Sequence, residues 1–368
     1  MAKITQAELF LVDLEPEVKR TDAIQSFVCQ ETPILKITDE DGVVGVGYTY
    51  TIGTGGSSIT ALLNDHLLPL LIGEDADCIE GIWKKLYFHT HATAVGAITS
   101  LALAAVDTAL WDLRCKRVNL PLWKLAGGAK QEIPLYTTEG GWLHLTPEQL
   151  VNDALKVKSH GFGGSKIKVG SPNLSDDIKR LSAVREAVGD DYHIMIDANQ
   201  SFTHDEAIRR AKTFAEMDIT WLEEPLPAED VAGHAMLCRQ GGTPIAVGES
   251  MYGTRLFREY LQQNACHIVQ VDVARIGGIT PWLKVAHLAE TFNVNVCPHF
   301  LMELHVSLCC AVPNSRWLEY IPQLGSLAEE TFTVIDGKAQ APSQAGIGIE
   351  WNWKAIRDKS KGSTTIKV

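Results

Sequence analysis

The sequence of residues 193–224 is HIMIDANQSFTHDEAIRRAKTFAEMDITWLEE, and this stretch decides the fold. A short apolar run ends in Asp197, a helical pattern follows, and a second apolar run ends in Glu223 and Glu224. A strand, a helix and a second strand in this order are typical of a parallel βαβ unit. The stretch therefore predicts one unit of an α/β fold.

The same alternation of apolar runs and helical patterns continues on both sides of this stretch. Successive runs lie roughly 20 to 30 residues apart, which leaves room for one strand, one helix and two loops. The predicted strand cores are Ile133–Tyr136, Ser165–Val169, His193–Asp197, Thr220–Glu224, Ile245–Glu249, Ile268–Asp272, Asn295–His299 and Trp317–Glu319. A chain of 368 residues can hold a β/α barrel of about 200 to 250 residues and a smaller domain. We predict a barrel over residues 131–325.

The residues before 131 follow a different pattern, in which strands come first and helices follow. Strand-like alternation is found at Ile4–Val12, Pro33–Thr38 and Gly42–Tyr50. Helical patterns are found at Ile59–Leu71, Ile79–Tyr87 and Ala97–Lys116. We predict a small α+β domain over 1–130, completed by the tail 326–368. Two polar loops, 16–26 and 51–58, interrupt its sheet, and the glycines of the second are typical of a lid.

Composition limits the function classes. The net charge of −12 argues against nucleic acid and anionic membranes as partners, because phosphate binding needs a clustered cationic surface. The most apolar stretch, Ala97 to Leu113, contains Asp107 and is too short and polar to cross a bilayer. The N-terminus lacks a secretory pattern, and the eight cysteines are scattered without a CxxC pair. We expect a cytoplasmic protein that acts on a small molecule.

Nearly every predicted barrel strand ends in an ionisable residue. Barrel enzymes build their active sites at the C-terminal ends of the strands. A single Asp or Glu there is more often a helix cap or a member of a surface ion pair, but seven in phase are difficult to explain in that way. The seven residues are Lys168, Asp197, Glu223, Glu249, Asp272, His299 and Glu319.

Three of these residues form a candidate metal site. Asp197, Glu223 and Glu249 end the third, fourth and fifth predicted strands. Neighbouring strands lie about 4.8 Å apart, so the three side chains can converge on one cation. A set of carboxylates without His or Cys suits a hard ion, with Mg²⁺ as the first choice and Mn²⁺ as the second. Glu224 points to the opposite face by the two-residue period, and we expect it in the barrel wall.

Two candidate proton-transfer groups flank the acidic residues. Lys166 and Lys168 share one face of the second strand, and each ammonium group disfavours the charge of the other. We therefore expect a lowered lysine pKa and a general base. His299 ends the seventh strand and Asp272 the sixth, so the aspartate can orient the imidazole and raise its basicity. The alternatives are solvent-facing lysines and a structural histidine.

The motifs at these positions resemble the enolase superfamily, and specifically its mandelate racemase branch. They are Lys166-Ile-Lys168-Val-Gly170, Ile196-Asp197-Ala-Asn199-Gln200, Trp221-Leu-Glu223-Glu-Pro225, Val247-Gly-Glu249, Asp272 with Gly277-Gly278, Pro298-His299 and Trp317-Leu-Glu319. The resemblance implies a modified, TIM-like (β/α)7β barrel under an α+β capping domain, and commonly a homo-oligomer. It implies the following site: Asp197, Glu223 and Glu249 on the metal, Lys168 and the His299–Asp272 dyad as bases, and Lys166, Asn199 and Glu319 as hydrogen-bonding partners of the substrate.

Within this branch, two segments are similar to the talarate/galactarate dehydratases. They run from Tyr136 to His144 and from Gly170 to Asn173. The similarity implies α-proton abstraction from a carboxylate and loss of water from an aldonate or an aldarate such as galactarate or talarate. The product would be a 2-keto-3-deoxy acid. Racemisation, epimerisation or cycloisomerisation of a 2-hydroxy acid or sugar lactone is the alternative.

The chain departs from those dehydratases in one cap loop. They have basic residues before the paired glycines, whereas this chain has Tyr50-Thr-Ile-Gly-Thr-Gly-Gly56. Lys19 and Arg20 in the other loop could replace the missing cation, or the substrate could be a mono-acid sugar. We expect the two cap loops to determine specificity, with Arg20, Tyr48 and Tyr50 as substrate-binding residues.

Overall fold

The barrel predicted from the alternating pattern is present. The computed structural model describes residues 2–27, 29–93 and 96–367, and within these residues eight parallel strands alternate with seven helices. The strands are Glu132–Thr137, Gly164–Lys168, His193–Asp197, Trp221–Glu223, Ile245–Val247, Ile268–Val269, Asn295–Val296 and Leu318–Tyr320. The helices are Pro147–Ser159, Leu174–Val188, His204–Ala215, Val231–Gln240, Thr254–Gln262, Ile279–Thr291 and Met302–Ala311. This order confirms the (β/α)7β prediction.

The eighth strand closes the barrel. Leu318 lies opposite Leu135, so the last strand pairs in parallel with the first. On its other side, the backbone N–H of Arg316 donates to the carbonyl of Val296 at 3.1 Å, and the seventh strand is joined as well. Closure places the C-terminal ends of all the strands around a single opening, where the charged residues predicted from the sequence lie.

Large apolar side chains fill the interior of the barrel below this opening. Tyr136, Met195 and Trp221 are buried there, and the rings of Tyr136 and Trp221 meet edge to face with centroids 5.4 Å apart. A packed interior leaves the mouth as the part of the barrel that can receive a ligand.

The first part of the chain forms an α+β domain with an antiparallel sheet. Four strands lie side by side in the order Ser360–Lys367, Ile4–Leu14, Gln30–Asp39 and Val44–Tyr48. Its helices are Gly56–Leu62, a π-helical turn Leu63–Leu67, Leu68–Leu71, Ile79–His89, the 3₁₀ turn His91–Thr93, Ala97–Arg117 and Leu122–Leu125. Two short strands, Arg20–Thr21 and Ser26–Phe27, pair antiparallel in the first polar loop.

The tail contributes to both parts of the molecule. Strand Ser360–Lys367 pairs with Ile4–Leu14 of the capping sheet, whereas Lys338–Gln340 pairs with the first barrel strand. The predicted division, in which all of 326–368 completes the cap, therefore does not hold for Lys338–Gln340. The other tail elements are Gly325–Leu327, Ala328–Glu330, Val334–Ile335, Glu350–Trp351 and the helix Trp353–Lys359.

A buried aspartate joins the long capping helix to the barrel. Asp107 accepts hydrogen bonds from the backbone N–H (2.8 Å) and the hydroxyl (2.7 Å) of Thr280. A Cβ at Gly278 would lie 2.5 Å from atoms of Asp107, so only glycine permits this approach. Gly278 immediately precedes the helix Ile279–Thr291.

In the part of the chain that the structure describes, no helix is both long enough and apolar enough to cross a membrane.

Candidate active site

Three acidic side chains converge at the mouth of the barrel. Asp197, Glu223 and Glu249 come from the third, fourth and fifth barrel strands or the residues just after them, and all three are buried. One oxygen atom from each lies within 4.8 Å of the others. Three carboxylate oxygens suit a hard divalent cation such as Mg²⁺. The structure thus brings together the three residues predicted as metal ligands.

Two further observations fit a cation at this position. Oε2 of Glu249 is buried and has no hydrogen-bond donor among the described residues, although Nε2 of His299 approaches it to 3.2 Å outside hydrogen-bonding geometry. Burial and the carboxylate of Asp197 raise the pKa of Glu223 well above its ordinary value. A divalent ion would give Oε2 of Glu249 a partner and would add positive charge beside Glu223.

The two lysines lie beside the acidic residues. Nζ of Lys166 donates to Oε1 of Glu223 at 2.8 Å and lies 3.0 Å from Oε1 of Glu319. Nζ of Lys168 donates to Oδ2 of Asp197 at 2.5 Å and to Oδ1 of Asn199 at 2.9 Å. Both ammonium groups are therefore held at the mouth of the barrel by side chains from neighbouring strands.

The predicted direction of the lysine pKa was wrong for this arrangement. Burial lowers the pKa of Lys168 and the ammonium group of Lys166 lowers it further, but the carboxylate of Asp197 and the other acids raise it more. The pKa of Lys166 is also raised, because the carboxylates of Glu223 and Glu319 outweigh its burial. The sequence argument considered the lysine pair without the acids around it.

A histidine–aspartate pair stands on the other side of the acidic residues. Nδ1 of His299 lies 2.8 Å from Oδ2 of Asp272, which also accepts a hydrogen bond from the hydroxyl of Tyr50 at 2.7 Å. Burial acts to raise the pKa of Asp272, but its hydrogen bond to His299 and nearby positive charges hold it at about 2. A charged Asp272 orients the imidazole so that Nε2 faces the cavity.

Glu319 completes the mouth from the eighth strand. Its carboxylate accepts hydrogen bonds from the hydroxyl of Thr138 at 2.5 Å and from the backbone N–H of Phe300 at 2.9 Å. Burial acts to raise the pKa of Glu319, but Lys166 and His299 hold it far below the ordinary value. Glu319 is therefore a fixed hydrogen-bond acceptor beside Lys166.

The backbone adopts an unusual conformation at the mouth. Among the described residues, four that are not Asn, Asp or Gly have a positive φ: Gln200, Glu224, Phe300 and Leu301. The first three directly follow Asn199, Glu223 and His299, and Leu301 follows Phe300. Left-handed backbone costs free energy in such residues and is maintained only by the surrounding structure. Glu224 lies away from the triad, where its carboxylate accepts a hydrogen bond from Gln200, as the strand period predicted.

One cavity is lined by residues of the barrel mouth and of the first domain. The barrel contributes Lys166, Lys168, Asn199, Glu249, His299 and Glu319, and also Thr138, Trp142, Arg275, Phe300 and Ile321. The first domain contributes Asp22, Gln25, Phe27 and Ile52. The sequence analysis did not name Asp22, Thr138, Trp142 or Arg275, because no strand-end pattern marks residues of irregular loops.

Three predicted substrate-binding residues lie outside the wall of this cavity. Tyr48 is buried against Trp351, and Tyr50 uses its hydroxyl to bind Asp272. The guanidinium group of Arg20 forms an ion pair with Glu139 and donates to the carbonyl of Pro322 at 3.1 Å. In the structure Tyr50 supports the dyad and Arg20 ties its loop to the barrel, and direct substrate contact by Arg20, Tyr48 and Tyr50 stays a prediction.

Comparison with known families agrees with this fold. Residues 7–127 match the N-terminal domain of the mandelate racemase / muconate lactonizing enzymes. Residues 149–355 match the enolase C-terminal domain-like family. The chain belongs to the enolase superfamily, in its mandelate racemase branch. It is an enzyme of that branch, with the capped barrel that the family shares.

Two curated relatives cover most of this mandelate racemase-type chain. L-talarate/galactarate dehydratase of Salmonella typhimurium is 38% identical over 324 residues, which are 88% of this chain and 81% of the relative. The 3,6-anhydro-alpha-L-galactonate cycloisomerase of Streptomyces coelicolor is 37% identical over 324 residues, 88% of this chain and 89% of the relative.

A solved relative has its metal bound. The L-talarate dehydratase of Polaromonas sp. JS666, complexed with Mg and L-glucarate, superposes with a TM-score of 0.95 at 33% identity and covers both chains completely. This magnesium-bound relative and the triad of Asp197, Glu223 and Glu249 agree on the kind of ion that the site fits.

Proposed function

We propose that this enzyme is a magnesium-dependent acid-sugar dehydratase. It removes the proton next to the carboxylate of an aldonate or aldarate and expels the β-hydroxyl as water, which gives a 2-keto-3-deoxy acid. One observation carries the proposal: Lys168 and the His299–Asp272 pair line the same cavity, and the strands that bear the acidic triad lie between theirs. Such an arrangement provides a nitrogen base on each side of a carboxylate substrate.

The metal-binding role falls to the acidic triad. Asp197, Glu223 and Glu249 would hold Mg²⁺, which when bound supplies positive charge against the substrate carboxylate as its oxygens become more negative. Lys166 adds a second cation at the same end of the cavity, and Glu319 fixes its position. Asn199 offers a hydrogen bond to the substrate from beside Lys168.

The proton transfers belong to the two nitrogen groups. Lys168, after it has lost its ammonium proton to solvent, or His299 as the neutral imidazole takes the α-proton, according to the configuration of the α carbon, and the electron pair of the C–H bond forms the enediolate. The C–O bond at the β carbon then breaks, and the imidazolium of His299 gives its proton to the departing hydroxide, so that water leaves. The resulting enol tautomerises to the 2-keto acid. Asp272 keeps the imidazole oriented throughout.

The test is turnover of a library of aldonates and aldarates with Mg²⁺ present. We expect a 2-keto acid that is lighter than its substrate by one water, and exchange of the α-hydrogen in deuterium oxide. Interconversion of isomers without keto acid would overturn dehydration while retaining proton abstraction. A protein that only binds the acid would give neither signal.

Cycloisomerisation is the second candidate, and the 37% identity to the anhydro-galactonate cycloisomerase favours it. Opening an anhydro ring by the same proton abstraction gives a keto acid with the mass of the substrate. A panel that includes anhydro sugar acids therefore distinguishes the two reactions by the mass of the product. Racemisation or epimerisation gives neither keto acid nor loss of mass.

A further inference from the structure

A short loop of the first domain closes one side of the cavity. This cap loop, residues 20–27, is held against the barrel at three points. The backbone N–H of Leu143 donates to the carbonyl of Thr21 at 2.9 Å, and the rings of Phe27 and Trp142 lie 5.9 Å apart. A Cβ on Gly170 would lie only 2.9 Å from the Cβ of Ala23, so the loop packs closely against the barrel there. These contacts fix the loop over the mouth of the barrel.

The cap loop places a buried acid in the wall of the cavity. Oδ1 of Asp22 accepts hydrogen bonds from the backbone N–H groups of Ile24 and Gln25, both at 2.8 Å. Oδ2 is buried and has no hydrogen-bond donor within the described residues, and the side chain as a whole is only 4% exposed. A buried carboxylate oxygen without a donor is costly, unless a ligand supplies one.

The described cap residues that line the cavity include no cation, and the positive charge that acts on Asp22 comes from the barrel: burial raises the pKa of Asp22, and the ammonium group of Lys168 lowers it. Among these cap residues, Gln25, Phe27 and Ile52 are uncharged, and Asp22 is acidic. Arg20, the nearest arginine of the loop, is directed away and paired with Glu139. The cap residues of this wall therefore add no cation to those of the barrel.

The cations of the cavity come from the barrel. Lys166 and Lys168 lie beside the metal triad, where the reacting carboxylate is expected. Arg275 donates from Nε to the hydroxyl of Tyr50 at 3.1 Å and from Nη1 to the carbonyl of Glu249 at 3.1 Å. Its guanidinium group therefore lies between the barrel and Tyr50 of the first domain.

We propose that Asp22 binds a hydroxyl group at the end of the substrate far from the reacting carboxylate, and that the substrate is a monocarboxylic aldonate rather than a dicarboxylic aldarate. This inference rests on the proposed function. A second carboxylate placed against Oδ2 of Asp22 would meet a like charge, and like charges in a buried site repel strongly. A hydroxyl there donates to Oδ2 and satisfies it.

Similarity to known relatives does not decide between these substrate classes. The dehydratase named for two dicarboxylates and the cycloisomerase named for a monocarboxylate are 38% and 37% identical to this chain. The charge of the cavity wall favours the monocarboxylate.

The experiment compares matched pairs of acid sugars. Each pair is an aldonate and the aldarate of the same configuration, which differ only in a terminal hydroxymethyl or carboxylate group. We expect the wild-type enzyme to show kcat/KM at least about tenfold higher for the aldonate of its best pair, which corresponds to about 1.4 kcal/mol. Equal or better turnover of the aldarate overturns the inference.

Two variants test the role of Asp22 itself. Asp22→Asn retains an oxygen that can accept from the backbone N–H groups of Ile24 and Gln25, but it removes the negative charge. The ratio of kcat/KM for the aldarate to kcat/KM for the aldonate should therefore rise by about tenfold. Asp22→Ala should raise KM for the aldonate. Glu17→Gln removes the same charge from an exposed residue of the preceding segment and should leave the ratio unchanged. An unchanged ratio in Asp22→Asn contradicts the proposal.

The outcomes separate this inference from the proposed function. If the enzyme exchanges the α-hydrogen or forms a keto acid but prefers the aldarate, only the proposed substrate class is wrong. Loss of that preference in Arg275→Gln would then show that Arg275 binds the second carboxylate. If no acid sugar shows α-hydrogen exchange or keto acid formation, both the proposed function and this inference are wrong. The wild-type ratio of kcat/KM for the aldonate to kcat/KM for the aldarate tests the inference even where a variant fails to fold.

Discussion

At the scale of single residues, the two proton-transfer groups differ in how their nitrogen atoms are held. Lys168 is bonded to Asp197 of the metal triad and to Asn199. His299 is bonded to Asp272, which is not part of the triad. Their hydrogen-bond partners are different residues, so we expect loss of one base to leave the partners of the other in place.

Replacing either base should remove proton transfer from one side of the substrate only. We expect Lys168→Met and His299→Asn to lower kcat by about 10²- to 10⁴-fold, because a positioned acid or base contributes about that factor. Each variant should retain α-hydrogen exchange with the epimer that the other base serves, measured by NMR in deuterium oxide. The matched controls are Lys284→Met and His287→Asn, which change exposed residues of the helix Ile279–Thr291. Wild-type turnover in Lys168→Met or His299→Asn would remove that residue from the mechanism.

At the scale of elements, the site depends on how the capping helix and cap loop contact the barrel. The helix Ala97–Arg117 contacts the barrel through Asp107, and the cap loop through Arg20 and Thr21. These contacts join segments that are far apart in the sequence. They determine which loop side chains line the cavity.

The contact through Asp107 should make stability depend on pH. Burial raises the pKa of Asp107 to about 7, against about 3.9 for an unfolded aspartate. Between these two pKa values, the folded state holds a proton on Asp107 that the unfolded state has lost. The stability that the neutral carboxyl group contributes is therefore fully present at low pH and is lost as pH rises through 7. We expect the free energy of unfolding of wild type relative to Asp107→Asn to fall by up to about 4 kcal/mol between pH 4 and pH 8.

Urea unfolding at a series of pH values measures this difference. Asp191→Asn is the matched control, because Asp191 is exposed and its replacement should leave the pH dependence of wild type unchanged. A gap between wild type and Asp107→Asn that stays constant from pH 4 to pH 8 would show that Asp107 is charged throughout.

At the scale of the whole molecule, the cavity exists only in the complete fold. Asp22 and Ile52 come from the first domain, and the reacting groups come from the barrel. The homo-oligomer and the cytoplasmic location expected from the sequence stay predictions, and sedimentation velocity measures the first of them.

Metal binding should stabilise the whole fold, because the three acids of the triad are buried. A ligand that binds only the folded state adds about 2.7 kcal/mol at a concentration a hundred times its Kd. We expect Tm to rise with Mg²⁺ concentration, to return to its starting value with chelator, and turnover to follow the same dependence. Glu223→Gln should lose this rise in Tm. Glu224→Gln changes the next residue, which lies outside the triad, and should retain it. An identical rise in both variants would place the ion elsewhere.

The sequence by itself determined the barrel and the identity of the charged residues at its mouth. The strand period and the alternation of strands with helices are local properties, and barrel closure brings every strand end to one opening. Lys166, Lys168, Asp197, Glu223, Glu249, Asp272, His299 and Glu319 could therefore be placed together without coordinates. The strand Ser360–Lys367 was missed because most of its side chains are exposed and it carries no apolar alternation.

Only the tertiary structure decided which loop residues face the cavity and how the charges balance. Arg20 lies two residues before Asp22 in the chain, yet it is paired with Glu139 outside the wall of the cavity, whereas Asp22 lines the cavity. The pKa of Lys168 rises because acids from other strands surround it. Side-chain direction in irregular loops and electrostatic environment both depend on packing between distant segments, and no local period of the sequence encodes them.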